Sequence, residues 1–253
     1  MGLPFYSLAG GSGGGGAGAS ITRGTYSTAP EGQPAGSVRL VTDAPLIRYY
    51  NGSSWEDDWP GVGPVTVPPT SGWSWDNQGS ALAFPSGPML SLSTPPSGGL
   101  DIHNYVRSTP ATPWQLQARF YAVGGRQRTM GLTLRESSTG EFYRWGFCQT
   151  GSGGSGCCLF YNTSTTAGST AIVTSNTYPA AGIAGFGIVD DGTDLYFSIL
   201  LPSTNAGASP ILVHTEARNA RMTTGPDQFG IHVAATTTDA QLDLVSWVEG
   251  SFP

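Results

Sequence analysis

The sequence predicts an all-β protein, a two-sheet antiparallel sandwich preceded by a small β-module and a Gly-rich tether. Two observations carry that prediction. The first is alternation through Trp114–Phe147. Trp114, Leu116, Ala118 and Phe120 alternate with Gln115, Gln117, Arg119 and Tyr121; Met130, Leu132 and Leu134 alternate with Gly131, Thr133 and Arg135; Phe142, Arg144 and Gly146 alternate with Tyr143, Trp145 and Phe147. A period of two turns one face of each strand to a core and the other away from it. Gly124-Gly125 and Ser138-Thr139-Gly140 interrupt the run as hairpin turns do, so the stretch is expected to form a three-strand meander that needs a second layer to pack on. The second observation is composition. With 37 Gly, 19 Pro and only 11% charged residues among 253, and with no helical period of useful length, the chain suits many short strands joined by turns.

The chain is long enough to bury a sizeable core without staples. All 11 cationic residues are arginines, which we read as a trace of a GC-rich genome. A net charge of -6 disfavours a nucleic-acid partner, because phosphate binding wants a basic patch. Met1-Gly2-Leu3-Pro4-Phe5 lacks the positive start and apolar run of a secretory leader. No stretch approaches the roughly 18 apolar residues of a membrane span, so no membrane insertion is expected. Cysteines number 3, an odd count. Either Cys148 and Cys157 face each other across a hairpin, or all are reduced small residues of a protein made in a cytosol.

Taken in order, residues 1–19 combine an apolar patch, Leu3-Pro4-Phe5-Tyr6-Leu8, with a glycine tract that reads as a tether. The patch is either a peg that docks on another protein or a loose terminus. The tract contains G-x-S-x-G (Gly10, Ser12, Gly14) and G-x-G-x-x-G (Gly11, Gly13, Gly16). Both come with any glycine run, and neither follows a strand nor opens a helix. Residues 20–60 read as a compact unit: a strand at Val38–Asp43, a second at Leu46–Tyr50, and an Asn51-Gly52 turn leading to Trp55 and Trp59. Residues 61–72 are Pro-rich and read as a stiff spacer. From Trp73 to Pro253 short strands recur at regular spacing. Trp73–Asp76 and Ala81–Phe84 read as an opening pair, Asp191-Gly192 as a hairpin turn, and Phe229–Val233 and Leu242–Val248 as the closing strands.

Two resemblances follow from these residues. Ala35-Gly36-Ser37-Val38-Arg39-Leu40-Val41-Thr42-Asp43 and Asn51-Gly52-Ser53-Ser54-Trp55 resemble a small module recurrent in bacteriophage virion proteins. Trp114–Tyr121, Gly131–Phe147, the Asp191–Phe197 hairpin and the closing strands resemble the concanavalin A-like (laminin G-like) jelly roll. The first resemblance implies a virion component, a fibre or appendage of the phage head or tail, assembled in the host cytoplasm. It implies attachment to capsid, portal or tail proteins through the N-terminus, for which Leu3, Phe5, Tyr6, Trp55 and Trp59 are the candidates, and a homotrimer. The second implies a head able to bind host-surface glycan or to decorate the particle.

The jelly-roll superfamily includes glycoside hydrolases, whose strand reads E-x-D-x-x-E. No such run exists here, and the acids Glu136, Glu141 and Asp243 stand apart in sequence. His103, His214 and His232 are scattered without a nucleophile motif. Cys157-Cys158 lacks zinc-ligand spacing. Asp190-Asp191-Gly192-Thr193-Asp194 is either a calcium loop or a hairpin turn, and the want of further oxygen ligands favours the turn. The expectation is therefore a protein that is not an enzyme and carries no metal or cofactor. The candidate glycan-binding face is Arg119, Tyr121, Arg135, Tyr143 and Trp145, with Gln117, Thr133, Tyr196 and His232 beside them, since aromatic rings, arginines and amides stack on and bond to sugars. Because both faces of its strand are partly apolar, Tyr143-Trp145-Phe147 is also readable as the inward set.

Overall fold

The computed structural model describes residues 21–24, 38–41, 47–50, 53, 55–56, 66–86, 89–124, 128–149, 155–175, 182–200 and 210–251. Leu3, Phe5, Tyr6 and Trp59 lie outside the described residues, as does the side chain of Trp55. All regular structure among the described residues is strand. A first group, β1 (Ile21–Gly24), β2 (Val38–Val41), β3 (Ile47–Tyr50) and β4 (Trp55–Glu56), makes its own 4-stranded sheet in that order. Its first pair, β1 with β2, is parallel and the others antiparallel.

The large domain has two antiparallel 7-stranded sheets, the expected sandwich. Its strands are β5 (Ser74–Asp76), β6 (Leu82–Ser86), β7 (Met89–Thr94), β8 (Ile102–Ser108), β9 (Trp114–Gly124), β10 (Arg128–Arg135), β11 (Phe142–Gln149), β12 (Ser155–Asn162), β13 (Ser169–Ser175), β14 (Gly182–Asp190), β15 (Asp194–Leu200), β16 (Ile211–Ala217), β17 (Gln228–Ala235) and β18 (Ala240–Ser251). The first sheet runs β13-β12-β11-β10-β17-β8-β5, and the second β16-β15-β14-β9-β18-β7-β6. Their facing sides form one core, in which Trp114, Leu116 and Phe120 of β9 meet Met130, Leu132 and Leu134 of β10 and Phe186, Phe197, Phe229 and Trp247. Burying large aromatic and aliphatic side chains in this way is the main favourable term of the fold.

The three-strand meander is corrected. β10 pairs with β11 as expected, but β9 pairs with β14 and β18 in the other sheet. The chain crosses from one layer to the other between β9 and β10. Alternation fixes which side of a strand is apolar, and β9 and β10 satisfy that by facing each other across the core. The opening pair divides likewise: β5 joins β8 and β6 joins β7. Part of the Pro-rich stretch also lies against the large domain and does not stand off as a spacer. Thr66 N–H donates to Ser246 Oγ at 3.1 Å, Trp247 N–H donates to Thr66 O at 3.0 Å, and Pro68 is buried.

The first sheet curls strongly about its outer side. Gly131 sits opposite Gly146 on β11, and Gly230 lies on the other flank of β10. A Cβ at Gly146 would lie 2.3 Å from Met130 O, and one at Gly230 would lie 2.1 Å from Tyr105 O, so neighbouring backbones close in on this face. The curl lets Arg135 of β10 reach Asp76 of β5, the edge strand, at 3.0 Å. It also gathers Ile102, Phe142 and Ala234 into a small second core. Ile102 N–H donates to Thr165 O in the β12–β13 loop at 3.0 Å.

Candidate functional site

The two outer faces of the sandwich differ in how fully their polar groups are used. On the curled first sheet most find partners within the chain, while Asn104 Oδ1 and Asn162 Nδ2 are buried without one among the described residues. Arg144 is 3% exposed. Its Nε donates to Asn162 Oδ1 at 2.9 Å, its Nη1 to Thr129 Oγ1 at 2.6 Å and its Nη2 to Ser169 Oγ at 3.1 Å, while the guanidinium lies over the Phe160 ring. Burial brings its pKa down to about 10. His232 is buried on the same face beside a hydrogen-bond partner, Leu132 O, at 3.0 Å. Burial, with Arg144 adding to it, holds this imidazole well below its ordinary range, so it is neutral at pH 7. Arg135 is held by Asp76 and by Gln228 Oε1 at 2.8 Å.

The outer face of the second sheet is organised on β9. Gln115, Gln117, Arg119 and Tyr121 point outward because Trp114, Leu116, Ala118 and Phe120 take the core side. Across the ladder to β14 and β15, Gln115 aligns with Val189 and Tyr196, Gln117 with Gly187 and Ser198, and Arg119 with Gly185 and Leu200. On the other flank Arg119 sits beside Ser246 and Tyr121 beside Asp243 of β18. Gly185 and Gly187 add no side chains, and Leu200 and Ser198 lean over them; a Cβ at Gly185 would come within 2.6 Å of Leu200 Cβ. The result is a shelf of amide, guanidinium and aromatic groups with low walls. Arg119 is half-buried, and burial lowers the pKa of its guanidinium. Among the described residues no group accepts a hydrogen bond from it.

The candidate glycan-binding residues are thus dispersed. Arg119 and Tyr121 share the shelf, with Gln117 and Tyr196 beside them. Arg135 is on the opposite sheet, pointing away from them, and is ion-paired. Tyr143 and Trp145 are each 0% exposed in the inter-sheet core, where Trp145 Nε1 donates to Ser198 O at 3.0 Å. The inward reading of Tyr143-Trp145-Phe147 is the one realised: the larger rings fill the core, and the alternating Phe142-Arg144-Gly146 set faces the curl. His232 is likewise sealed beneath that curl, so it does not join the shelf.

The Asp190–Asp194 stretch is a hairpin turn. Asp190 accepts from Gly192 N–H at 2.9 Å and pairs with Arg218 Nε at 2.8 Å. Asp191 accepts from Thr193 N–H, Asp194 N–H and Tyr196 Oη, which hold its carboxyl below the ordinary range. These oxygens are occupied by N–H and O–H donors, and among the described residues no cluster of three or more His, Cys, Asp or Glu is placed to hold a metal. The cysteines are free thiols. Cys157 pairs with Phe147 and points to the core, whereas Cys148 and Cys158 share the outer face, so of the two alternatives the facing of Cys148 and Cys157 is not the one found.

One grouping was invisible in the sequence. At the end of the sandwich Tyr143 Oη approaches Glu216, whose Oε2 accepts from Arg221 Nε at 3.1 Å. His214 Nε2 lies 3.8 Å from Glu216 Oε1. Tyr161, its ring 5.7 Å from that of Tyr143, donates its hydroxyl to Arg221 O at 3.0 Å, with Glu141 beside it. Burial, then Glu141, raises the Tyr161 phenol to about 12. Two carboxylates 75 positions apart in the chain thus flank one tyrosine pair, Glu216 beside Tyr143 and Glu141 beside Tyr161, which no scan of a single strand detects.

No protein-family model matches the chain, and no curated protein matches it by sequence. Solved structures match it by fold. A GH43 glycoside hydrolase, engineered to display both endo-xylanase and exo-arabinofuranosidase activity, superposes with a TM-score of 0.53 and 12% identity, over 85% of this chain and 46% of its own. A mutant of the GH43 protein BlXynB from Bacillus licheniformis superposes with a TM-score of 0.50 and 12% identity, over 67% of this chain and 34% of its own. The chain therefore spans less than half the length of either. The expectation that the protein is not an enzyme is corrected by these matches. It rested on the absence of sequence patterns, E-x-D-x-x-E foremost, and the folds matched here belong to chains named as glycoside hydrolases, so neither fold nor that absence sets an enzyme aside.

Proposed function

We propose that this chain is a glycan-recognising component of a bacteriophage particle, with the sugar seated on the β9 shelf. The observation that carries the reading is the outward row Gln117, Arg119 and Tyr121, where an amide, a guanidinium with no acceptor among the described residues and an aromatic ring share one partly exposed outer face. Such groups hold a sugar by stacking and directed hydrogen bonds. Support for the particle comes from the Ala35–Asp43 and Asn51–Trp55 stretches and from the separate 4-stranded sheet to which Val38–Val41 and Trp55 belong. Leu3, Phe5, Tyr6, Trp55 and Trp59 are its proposed contacts with other virion proteins, and the assembly is proposed as a homotrimer. Binding of the purified chain to an array of bacterial surface glycans tests the proposal. Binding that is lost when Gln117 and Tyr121 are both changed to Ala supports it; binding untouched by that change refutes the assigned face.

A second reading is a carbohydrate-active enzyme. It is favoured by the fold shared with GH43 chains, and Glu141 and Glu216, the acids flanking the Tyr143–Tyr161 pair, are its candidate carboxyl groups, since glycoside hydrolysis uses two across one bond. Release of reducing ends by the wild-type chain, abolished in Glu216→Gln, establishes this reading. Intact glycan after prolonged incubation removes it.

A further inference from the structure

Arginines whose side chains are described form a telling series. Arg107 reaches Glu249 at 3.4 Å, Arg135 reaches Asp76 at 3.0 Å, Arg218 reaches Asp190 at 2.8 Å and Arg221 reaches Glu216 at 3.1 Å. Arg144, the most deeply buried, donates to Asn162, Thr129 and Ser169. Arg119 alone among them has no acceptor in the described structure, although it is half-buried in the middle of a sheet. A charge partly removed from water without a partner is unfavourable, and each of the other guanidiniums whose side chains are described reaches at least one acceptor.

Its surroundings state what would engage it. The guanidinium is a planar fork of donors that fits a carboxylate with two parallel bonds, which a sugar hydroxyl does not match. Toward β14 and β15 it has Gly185 with the Leu200 side chain leaning over it, an apolar floor for a sugar ring. Gln117 and Tyr121 lie on either side along β9. The chain as a whole is acidic, at -6, so its overall field does not draw anions in. Selection for an acid must come from the local pair.

We infer that the β9 shelf takes a carboxylate-bearing sugar, a uronic-acid-type unit, with Arg119 as the residue that determines its specificity. This rests on the glycan reading above and adds the class of sugar. Calorimetric titration of the full chain against uronate-containing oligosaccharides, their carboxyl-reduced neutral partners and sulfated partners tests it. The wild type is expected to bind a uronate oligosaccharide at least 10-fold more tightly than its reduced partner. Arg119→Met should lose that preference while keeping the weak neutral binding, and Arg119→Lys should restore only part of it, because an ammonium cannot make the fork. Thermal midpoints should show Arg119→Met at least as stable as wild type, since no bond to Arg119 from the described residues is broken. Equal binding of acidic and neutral sugars would overturn the inference and leave the glycan face standing. A uronate preference that survives in Arg119→Met would overturn the role of Arg119, and tighter binding of sulfated sugars would overturn the carboxylate. No binding to any glycan would overturn the glycan reading itself, and this inference with it.

Discussion

Replacing Gly146 with alanine tests how the first sheet attains its curl. The added Cβ would lie 2.3 Å from Met130 O, 2.6 Å from Gly131 Cα and 3.0 Å from Met130 C. Carbon and oxygen in favourable contact sit about 3.3–3.6 Å apart, so the overlap is on the order of 1 Å. All the atoms met are backbone, and β10 is paired along its whole length to β11 on one side and β17 on the other. It cannot yield without disturbing both ladders. Overpacking a core costs about 1–3 kcal/mol when side chains can move aside, and a backbone obstacle puts this site at the top of that range. The alanine recovers about 0.4–1 kcal/mol through the unfolded chain, leaving a net loss of about 2–3 kcal/mol. For a domain of this size that lowers the thermal midpoint by roughly 5–10 °C. Gly99→Ala is the control, because a Cβ there meets nothing within 4 Å, and it should leave stability within about 0.5 kcal/mol of wild type. Urea and thermal melts followed by tryptophan fluorescence make the comparison. A Gly146→Ala midpoint indistinguishable from that of Gly99→Ala would refute the argument that glycine at this place permits the curvature.

Two further predictions concern titration. His232 has a folded pKa depressed by burial and by Arg144, so its contribution to stability is present above the unfolded value of about 6.5 and is lost as pH falls below it. Stability should decline between about pH 6.5 and 5, and a His232→Gln variant should show a flatter profile over that window; parallel profiles would contradict the assignment. Among the thiols, Cys148 is lowered by its hydrogen bond with Cys158 and by Arg144, whereas burial raises Cys158 and pushes Cys157 up to about 11. Iodoacetamide in the folded state should therefore modify Cys148 first at pH 8, read by peptide mass mapping, and modification led by Cys157 would be the wrong outcome.

Period-two patterning made the strands readable because each has one wet and one dry side, and that is a property of the strand alone. Which sheet a strand joins is a property of pairs, and β9 and β10 show the difference: identical patterning, opposite layers. β13 went unseen because Ser169-Thr170-Ala171-Ile172-Val173-Thr174-Ser175 has three adjacent apolar residues and a bulge against β12, which blurs alternation. The site was half legible. Arg119 and Tyr121 came from a strand with one clearly apolar side. Tyr143 and Trp145 came from a strand apolar on both sides, where the first sheet's curl, supported by Gly131, Gly146 and Gly230, gives the other side a core of its own. The placing of Glu216 and Arg221 beside the Tyr143–Tyr161 pair depends on loop closure at the end of the sandwich, where Glu136 accepts from Thr223 and Thr224, and nothing local encodes it.

The Arg119 Nε–Hε resonance, assigned by its disappearance in Arg119→Lys and followed as oligosaccharide is added, reports on the shelf itself. Saturable movement of that signal together with the Gln117 side-chain amide, while the Arg135 and Arg144 signals stay in place, is the predicted result. Ligand-dependent movement at Arg135 or Arg221 with Arg119 unmoved would place recognition elsewhere and contradict the account.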